Sequence, residues 1–438
     1  MAAKKALGFW MCTALVVGNM IGSGVFLLPA SLGSFGGISI VGWLVSAGGA
    51  ICLALVFARL GRLVPETGGP YAFARDGFGE LGGFLVAWAY WISMWTTNAA
   101  LAVAFTSYLT VFWPDLATTP ILAGAASLGS LWLLTAVNLS GVRTAGAVQL
   151  VTTVLKLLPL LAICAVGLFF FNAEHFQPFN ASGRGTLPAV SATVTLTLWA
   201  FLGLESGTVP AGDVNDAERT IPRATIAGTL IATVVYILGT VVVMGLIAPA
   251  VLAESNAPFA DAARVIWGPW GAYLLGAGAA ISCFGALNGW ILLSGQLPYA
   301  AARDGLLPAP LARMSRRQTP AVGILASSVI ASFLIAMNYT KGLVAAFTFM
   351  ILLATLATLI PYVFSSLAVF LLRGASGDRP GRLGLGPSIV AGVAFLYSLW
   401  AIGGSGQEAV YWGFLLIVAG LPVYVGMVWW RRRNGSAA

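Results

Sequence analysis

The chain has 438 residues, of which 59% are hydrophobic and only 8% charged, with a formal charge of +8 and a mean hydropathy of +0.92. A soluble domain carries about a quarter charged residues, so this composition excludes one and specifies an integral membrane protein. The single histidine, His175, sits in an expected loop, and Cys12, Cys52, Cys164 and Cys283 lie in apolar runs without ligand spacing. Metal, haem and His-based catalysis have nothing to build on, and no cofactor is expected.

Lys4 and Lys5 lead straight into the first apolar run with no small-residue cleavage pattern, so no cleaved leader is expected. Apolar runs divided by polar breaks suggest roughly twelve spans by the ~20-residue length rule. The first six are Gly8–Ala30, Ser39–Leu60, Leu81–Phe112, Ile121–Ser140, Ala145–Phe171 and Leu187–Val209. Ile221–Ile247, Gly271–Ala300, Ala321–Met337, Leu343–Leu371, Pro387–Ile402 and Val410–Trp430 follow. No linker or charge block marks a soluble domain, so residues 1–438 read as one polytopic unit.

The first span carries Gly22-Ser23-Gly24 at its centre, the composition least able to hold a continuous helix. A spanning segment can open its hydrogen-bond ladder only where protein or a wet cavity satisfies the freed groups. A discontinuous helix gripping a small polar ligand is one reading, with amides of the second half facing a carboxylate. Close packing through small residues is the other.

Basic residues set the expected orientation. The N-terminus, alternate loops (Arg59, Arg62, Arg75, Arg143, Arg219, Arg223, Arg303, Arg313, Arg316, Arg317, Arg373, Arg379, Arg382) and the C-terminal Arg431–Arg433 carry the positive charge. The opposite loops hold only Arg184, Arg264 and Lys341. Both termini should therefore be cytoplasmic, in a multi-pass protein of the inner membrane. The net charge is a topology signal, with weak anionic-lipid contact at Arg431–Arg433 and no nucleic-acid partner.

Two charges remain deep in apolar sequence: Lys156 in the fifth span and Glu205 in the sixth. Each would be costly in lipid, so each should face protein or a wet cavity. An intramembrane carboxylate is functional by default; Lys156 serves equally as a strut on first-helix carbonyls or as a proton-coupling group. The sixth span, Leu198 to Gly207, also mixes glycine and polar atoms at mid-membrane. The first and sixth spans would open two inverted halves of about five helices each, the pattern that points to a transporter site. The expected repeats cover about 8–171 and 187–373, with two additional C-terminal helices at about 387–430.

Five motifs in order resemble the amino acid–polyamine–organocation superfamily, closest to its basic amino acid/polyamine antiporter branch and the arginine/agmatine antiporters. They are Gly18-Asn19-Met20-Ile21-Gly22-Ser23-Gly24, Gly68-Gly69-Pro70-Tyr71-Ala72-Phe73-Ala74-Arg75, Trp199 to Ser206, Arg219-Thr220-Ile221-Pro222 and Asp304-Gly305-Leu306-Leu307-Pro308. The resemblance runs nearly end to end. It implies an all-α fold of five plus five inverted helices, with helices 1 and 6 discontinuous, that works by alternating access.

It further implies that Asn19, Ser23, Gly24, Trp199 and Leu202 hold the substrate's backbone groups, with Asn98 and Trp290 at its side chain. An indole face attracts a guanidinium or ammonium. Tyr90, also counted toward the substrate, matches with Glu205 and Tyr362 the residues that close the cytoplasmic side. Glu205 matches a proposed proton sensor, and a homodimer is implied. The chain departs from those antiporters at Ser93, Met94, Leu101 and Ala354. Lys156 resembles the fifth-span lysine of other branches, including proton-coupled carriers, where the ammonium takes the place of a sodium ion.

The chain is thus expected to be a secondary transporter, an amino acid exchanger of arginine/agmatine type, with a proton-coupled symporter of neutral or cationic amino acids as the alternative. A channel would need repeated polar rings along a path, and a lone Glu and Lys on separate spans are thin material for an enzyme. Trp199 and Trp290 compete with the rest of fifteen tryptophans, most of which should pack or sit at interfaces.

Overall fold

The computed structural model describes residues 8–64, 68–208, 214–317, 319–372 and 384–433, without the side chains of Leu15 and of 142–151, 153 and 154. Lys4, Lys5, Val209, Arg373, Arg379 and Arg382, and the side chain of Arg143, lie outside that description. The described part is helical. The first half runs α1 (Phe9–Met20), α2 (Ser23–Gly33), α3 (Ile38–Leu63), α4 (Pro70–Leu109), the single turn α5 (Asp115–Thr118), α6 (Pro120–Ser140) and α7 (Val142–Gly167). It continues with α8 (Thr186–Phe201), a 3-10 turn at Leu204–Thr208, α9 (Ala217–Leu246), α10 (Pro249–Ala253), α11 (Pro258–Arg303) and α12 (Ala321–Asn338). The last elements are α13 (Leu343–Leu371), α14 (Leu385–Gly404), α15 (Gln407–Val418) and α16 (Leu421–Arg433).

Among the described residues, ten helical stretches are long and apolar enough to cross a membrane. Helices α4 and α7 account for the rest of the roughly twelve expected spans. Helix α4 is less apolar because Trp88, Tyr90, Trp91, Trp95, Thr96, Thr97 and Asn98 dilute its aliphatic content. Its burial explains that composition: Tyr90 to Ala104 are all buried, packed along α13 and α11 and away from lipid. A helix shielded on every side has no need of a hydrophobic exterior.

Among those ten stretches the most enclosed is the broken one, α1 and α2, 88% buried over its most apolar part; α14 and the α15–α16 stretch are 28% and 11% buried. Their exposed apolar residues, among them Leu396, Phe414 and Val425, form a lipid-facing surface of the size that a water-soluble monomer does not display.

Helix boundaries differ from expectation where glycine intervenes. Helices α4 and α11 each turn sharply, at Gly79 (φ 76°) and Gly268 (φ 69°). The expected spans at Leu81 and Gly271 therefore begin just past a short helix, 70–78 and 258–267, whose polar residues read as loop in the sequence. The expected last span is in fact two helices, with Ala419–Gly420 between them.

Three contacts bring the arginine-rich loops to one end of the molecule. Arg75 donates to Asp304 Oδ2 at 2.5 Å, Arg431 grips Glu80 through both terminal nitrogens at 2.9 and 2.7 Å, and Arg62 Nε donates to the Glu218 carbonyl at 3.3 Å. This is called the basic end below.

Candidate functional site

Both predicted helix breaks are present. Helix α1 ends at Met20, Ile21 and Gly22 are non-helical (Gly22 φ −114°, ψ −123°), and α2 restarts at Ser23. Helix α8 stops at Phe201, Leu202 is extended, and Gly203 takes φ +104° before the turn at Leu204–Thr208. Gly203 can do this because it has no Cβ. At Gly24 the constraint is space: an added Cβ would lie 2.9 Å from Ala200 Cα and Cβ, so the two broken helices meet backbone to backbone.

Each break is supported by a buried charge of opposite sign. Lys156, wholly buried, donates to the carbonyls of Gly18 at 2.7 Å and Ile21 at 2.5 Å. Ser282 Oγ adds bonds of 3.3 Å to the Ile21 and Gly22 carbonyls. These are carbonyls that the early end of α1 leaves without intrahelical donors. At the second break Glu205, also wholly buried, receives the Gly203 amide at 3.2 Å. It also accepts Tyr90 Oη at 2.6 Å and Tyr362 Oη at 2.7 Å, which ties α4 and α13 to the turn. Among the described residues, Lys156 and Glu205 are the only fully buried charged side chains.

Between the breaks lies a cavity of about 10 Å³, room for about one water molecule. Of the residues expected at a substrate site, Asn19, Ser23, Gly24, Trp199, Leu202 and Trp290 line it. Tyr90, Glu205 and Tyr362 form a separate cluster, and Lys156 stands behind the first break. Asn98 is buried one residue off the lining, with its amide nitrogen 3.4 Å from Ser294 Oγ on α11.

Sequence reading missed Met20, Gly22, Thr97 and Ala286 as lining residues, and took Leu101 only as a departure from a relative. Leu101 was findable, three residues beyond Asn98 on α4, and Thr97 lies one helical turn before Leu101.

Aromatic and hydroxyl contacts tie α2, α4, α8, α11 and α13 together around the broken helices. Trp199 meets the edge of Phe347 with centroids 6.4 Å apart. Tyr108 donates to the Phe26 carbonyl at 2.5 Å, and Phe26 packs edge-on against Phe259 at 5.3 Å. Ser31 and Thr348 hydroxyls bond at 2.9 Å between α2 and α13. A small chamber at the junction of two interrupted helices is an arrangement that recurs at secondary-transporter sites.

The amino acid permease family model matches residues 7–430. The chain belongs to that family. As a member of the amino acid–polyamine–organocation superfamily it is a multi-pass membrane transporter and not an enzyme. Its relatives include the putrescine transporter PotE of Escherichia coli, 32% identical over 424 residues that cover 97% of this chain and 96% of that protein. PotE of Haemophilus influenzae is 31% identical, covering 97% of each chain. The cadaverine/lysine antiporter of E. coli is 36% identical over 382 residues, 86% of each chain. Identity to permeases over nearly the full length places the two breaks and the chamber between them inside a transport fold.

Proposed function

We propose that this permease exchanges a basic amino acid for its decarboxylated amine across the cytoplasmic membrane by alternating access. The observation that carries the reading is the pairing of helix ends at one closed chamber. Ser23 and Gly24 open α2, so their amides lack intrahelical acceptors, and the positive end of that helix suits a carboxylate. The C-terminal carbonyls of α8, beside Trp199 and Leu202, suit an amine. Trp290 supplies an aromatic face for a distal cation.

In this reading the chain is built of two inverted repeats, about 8–171 and 187–373, and two further helices. The matched breaks at Ile21–Gly22 and Leu202–Gly203, and the glycine turns at Gly79 and Gly268, support it. The basic end faces the cytoplasm. Tyr90, Glu205 and Tyr362 form the gate on that side, with Glu205 as its proton-responsive member. The motif resemblance points to arginine/agmatine as the pair, whereas a relative named for cadaverine and lysine points to lysine and its diamine; both fit the class.

The test is counterflow in proteoliposomes. Vesicles loaded with lysine, arginine, cadaverine, putrescine or agmatine should take up labelled lysine or arginine, and empty vesicles should not. Uptake into empty vesicles on a proton gradient, equal to that by exchange, would overturn the reading and favour proton symport. That second reading draws on Lys156, whose ammonium occupies the carbonyl nest behind the first break. PH-dependent uptake that survives unchanged in Lys156→Ala would remove its lysine version.

A further inference from the structure

We propose that Thr97, which no motif or relative above assigns, is a specificity-determining residue whose hydroxyl receives the terminal primary ammonium of a lysine- or diamine-like substrate. The inference rests on the exchanger reading and narrows its substrate class.

Threonines inside helices normally return their hydroxyl to the carbonyl one turn back. On α4 itself Thr96 does so to Ile92 at 2.8 Å and Thr106 to Ala102 at 3.1 Å. Thr97 does not: its hydroxyl is buried without any partner, although the residue lines the central cavity. A buried hydroxyl left unpaired is costly, so a group that satisfies it from the cavity gains more than an ordinary hydrogen bond. Thr225, Thr240 and Thr355 also lack partners, but none of them lines the cavity. Besides Thr97, Ser23 is the lining residue with a partnerless hydroxyl.

Those two hydroxyls stand on different walls. Ser23 belongs to the broken helices, where the proposed carboxylate sits. Thr97 belongs to the α4–α11 wall with Leu101, Ala286 and Trp290. An amino acid whose backbone groups rest on the breaks extends its side chain toward that second wall. The cation arriving there finds no carboxylate, because Glu205 is engaged by Tyr90, Tyr362 and Gly203. It finds the Trp290 face and one hydroxyl acceptor.

An ammonium directs three N–H groups separately and can use a lone acceptor, whereas a guanidinium needs acceptors in the plane of its fork. With apolar Leu101 and Ala286 alongside, Thr97 suits the ammonium. Asn98 Oδ1, also partnerless, lies off the lining.

The experiment compares wild type, Thr97→Val and Thr97→Ser in lysine-loaded proteoliposomes, with labelled cadaverine and labelled agmatine as external substrates. Loss of one hydrogen bond to a charged group should raise the KM for cadaverine about tenfold in Thr97→Val. The saturated rate should fall by much less, the agmatine KM should move by less than about twofold, and Thr97→Ser should restore the cadaverine KM. If the valine variant fails to accumulate in membranes, Thr97→Ala gives the same comparison. A cadaverine KM within about twofold of wild type, equal shifts for both amines, or no rescue by serine would overturn the assignment while leaving exchange intact. Wild-type vesicles that exchange neither amine would overturn the exchanger reading, and this inference with it.

Discussion

The two helix breaks solve the same problem with opposite chemistry. At Ile21–Gly22 the exposed groups are carbonyls, and a cation, Lys156, covers them with help from Ser282. At Leu202–Gly203 the exposed group is an amide, and an anion, Glu205, covers it and recruits two tyrosines from neighbouring helices. The first support joins α7 and α11 to the end of α1 through backbone carbonyls; the second joins α4 and α13 to the turn after α8 through their tyrosine side chains. A cation on carbonyls is suited to holding a break open, and an anion shared by three elements is suited to releasing them when its charge changes. The glycines differ in the same way: Gly24 is required by the space between helices, Gly203 by its backbone angle.

The comparison is broken most severely by removing the shared anion. Glu205→Ala leaves Tyr90 Oη, Tyr362 Oη and the Gly203 amide without acceptors, an expected loss of the order of 3 kcal/mol or more in stability. Thermal unfolding of the purified protein should show it, together with a collapse of exchange. Glu205→Gln keeps an acceptor oxygen and removes the charge. It should retain most of the stability while flattening the pH profile of exchange; an unchanged profile would make Glu205 purely structural.

Next in size is Lys156→Met, which fills similar volume but strands the Gly18 carbonyl and leaves that of Ile21 with Ser282 alone. An expected cost of about 2–4 kcal/mol follows from losing two hydrogen bonds to a charged donor. Stability within about 1 kcal/mol of wild type would show that the first break holds itself open. Gly24→Ala comes third. With the Ala200 backbone 2.9 Å away, α2 and α8 must separate, at about 1–3 kcal/mol for overpacking. Exchange should fall more than stability does, since the chamber lies between those helices; Gly22→Ala, facing the Ala286 side chain at 3.1 Å, should be milder.

The smallest effect is expected at the basic end, where Arg431 is engaged with Glu80 instead of being left wholly for lipid. The pair is partly exposed, so Arg431→Ala should cost less than about 1 kcal/mol. Glu80 is held below its ordinary value of 4.5 chiefly by the hydrogen bond from Arg431. A lowered folded-state value contributes stability above pH 4.5 and loses it as pH falls through the lowered value. Wild type and Arg431→Ala should therefore differ slightly near neutral pH and converge in acid.

Much of the fold was legible because lipid imposes simple rules on a chain. Length and hydropathy marked the spans, and glycine with serine at mid-membrane marked both breaks. Isolation in apolar sequence marked Lys156 and Glu205. Boundaries erred at Gly79, Gly268 and Gly420, where a hydropathy average cannot register one turned residue. Half of the chamber was readable from the motifs; Thr97 and Ala286 were not, because a threonine or alanine in a buried helix carries no signal until its neighbours are known.

By itself, then, the sequence determined that this is an all-helical membrane protein, where two of its helices open, and which charges must be sheltered, since each follows from the cost of polar groups in lipid. Only the tertiary structure decided which charge serves which break, that Tyr90 and Tyr362 converge on one carboxylate, and that Thr97 faces the chamber while Thr96 beside it does not. Those depend on how separate helices are rotated against one another, and rotation is set by the packing of residues far apart in the chain.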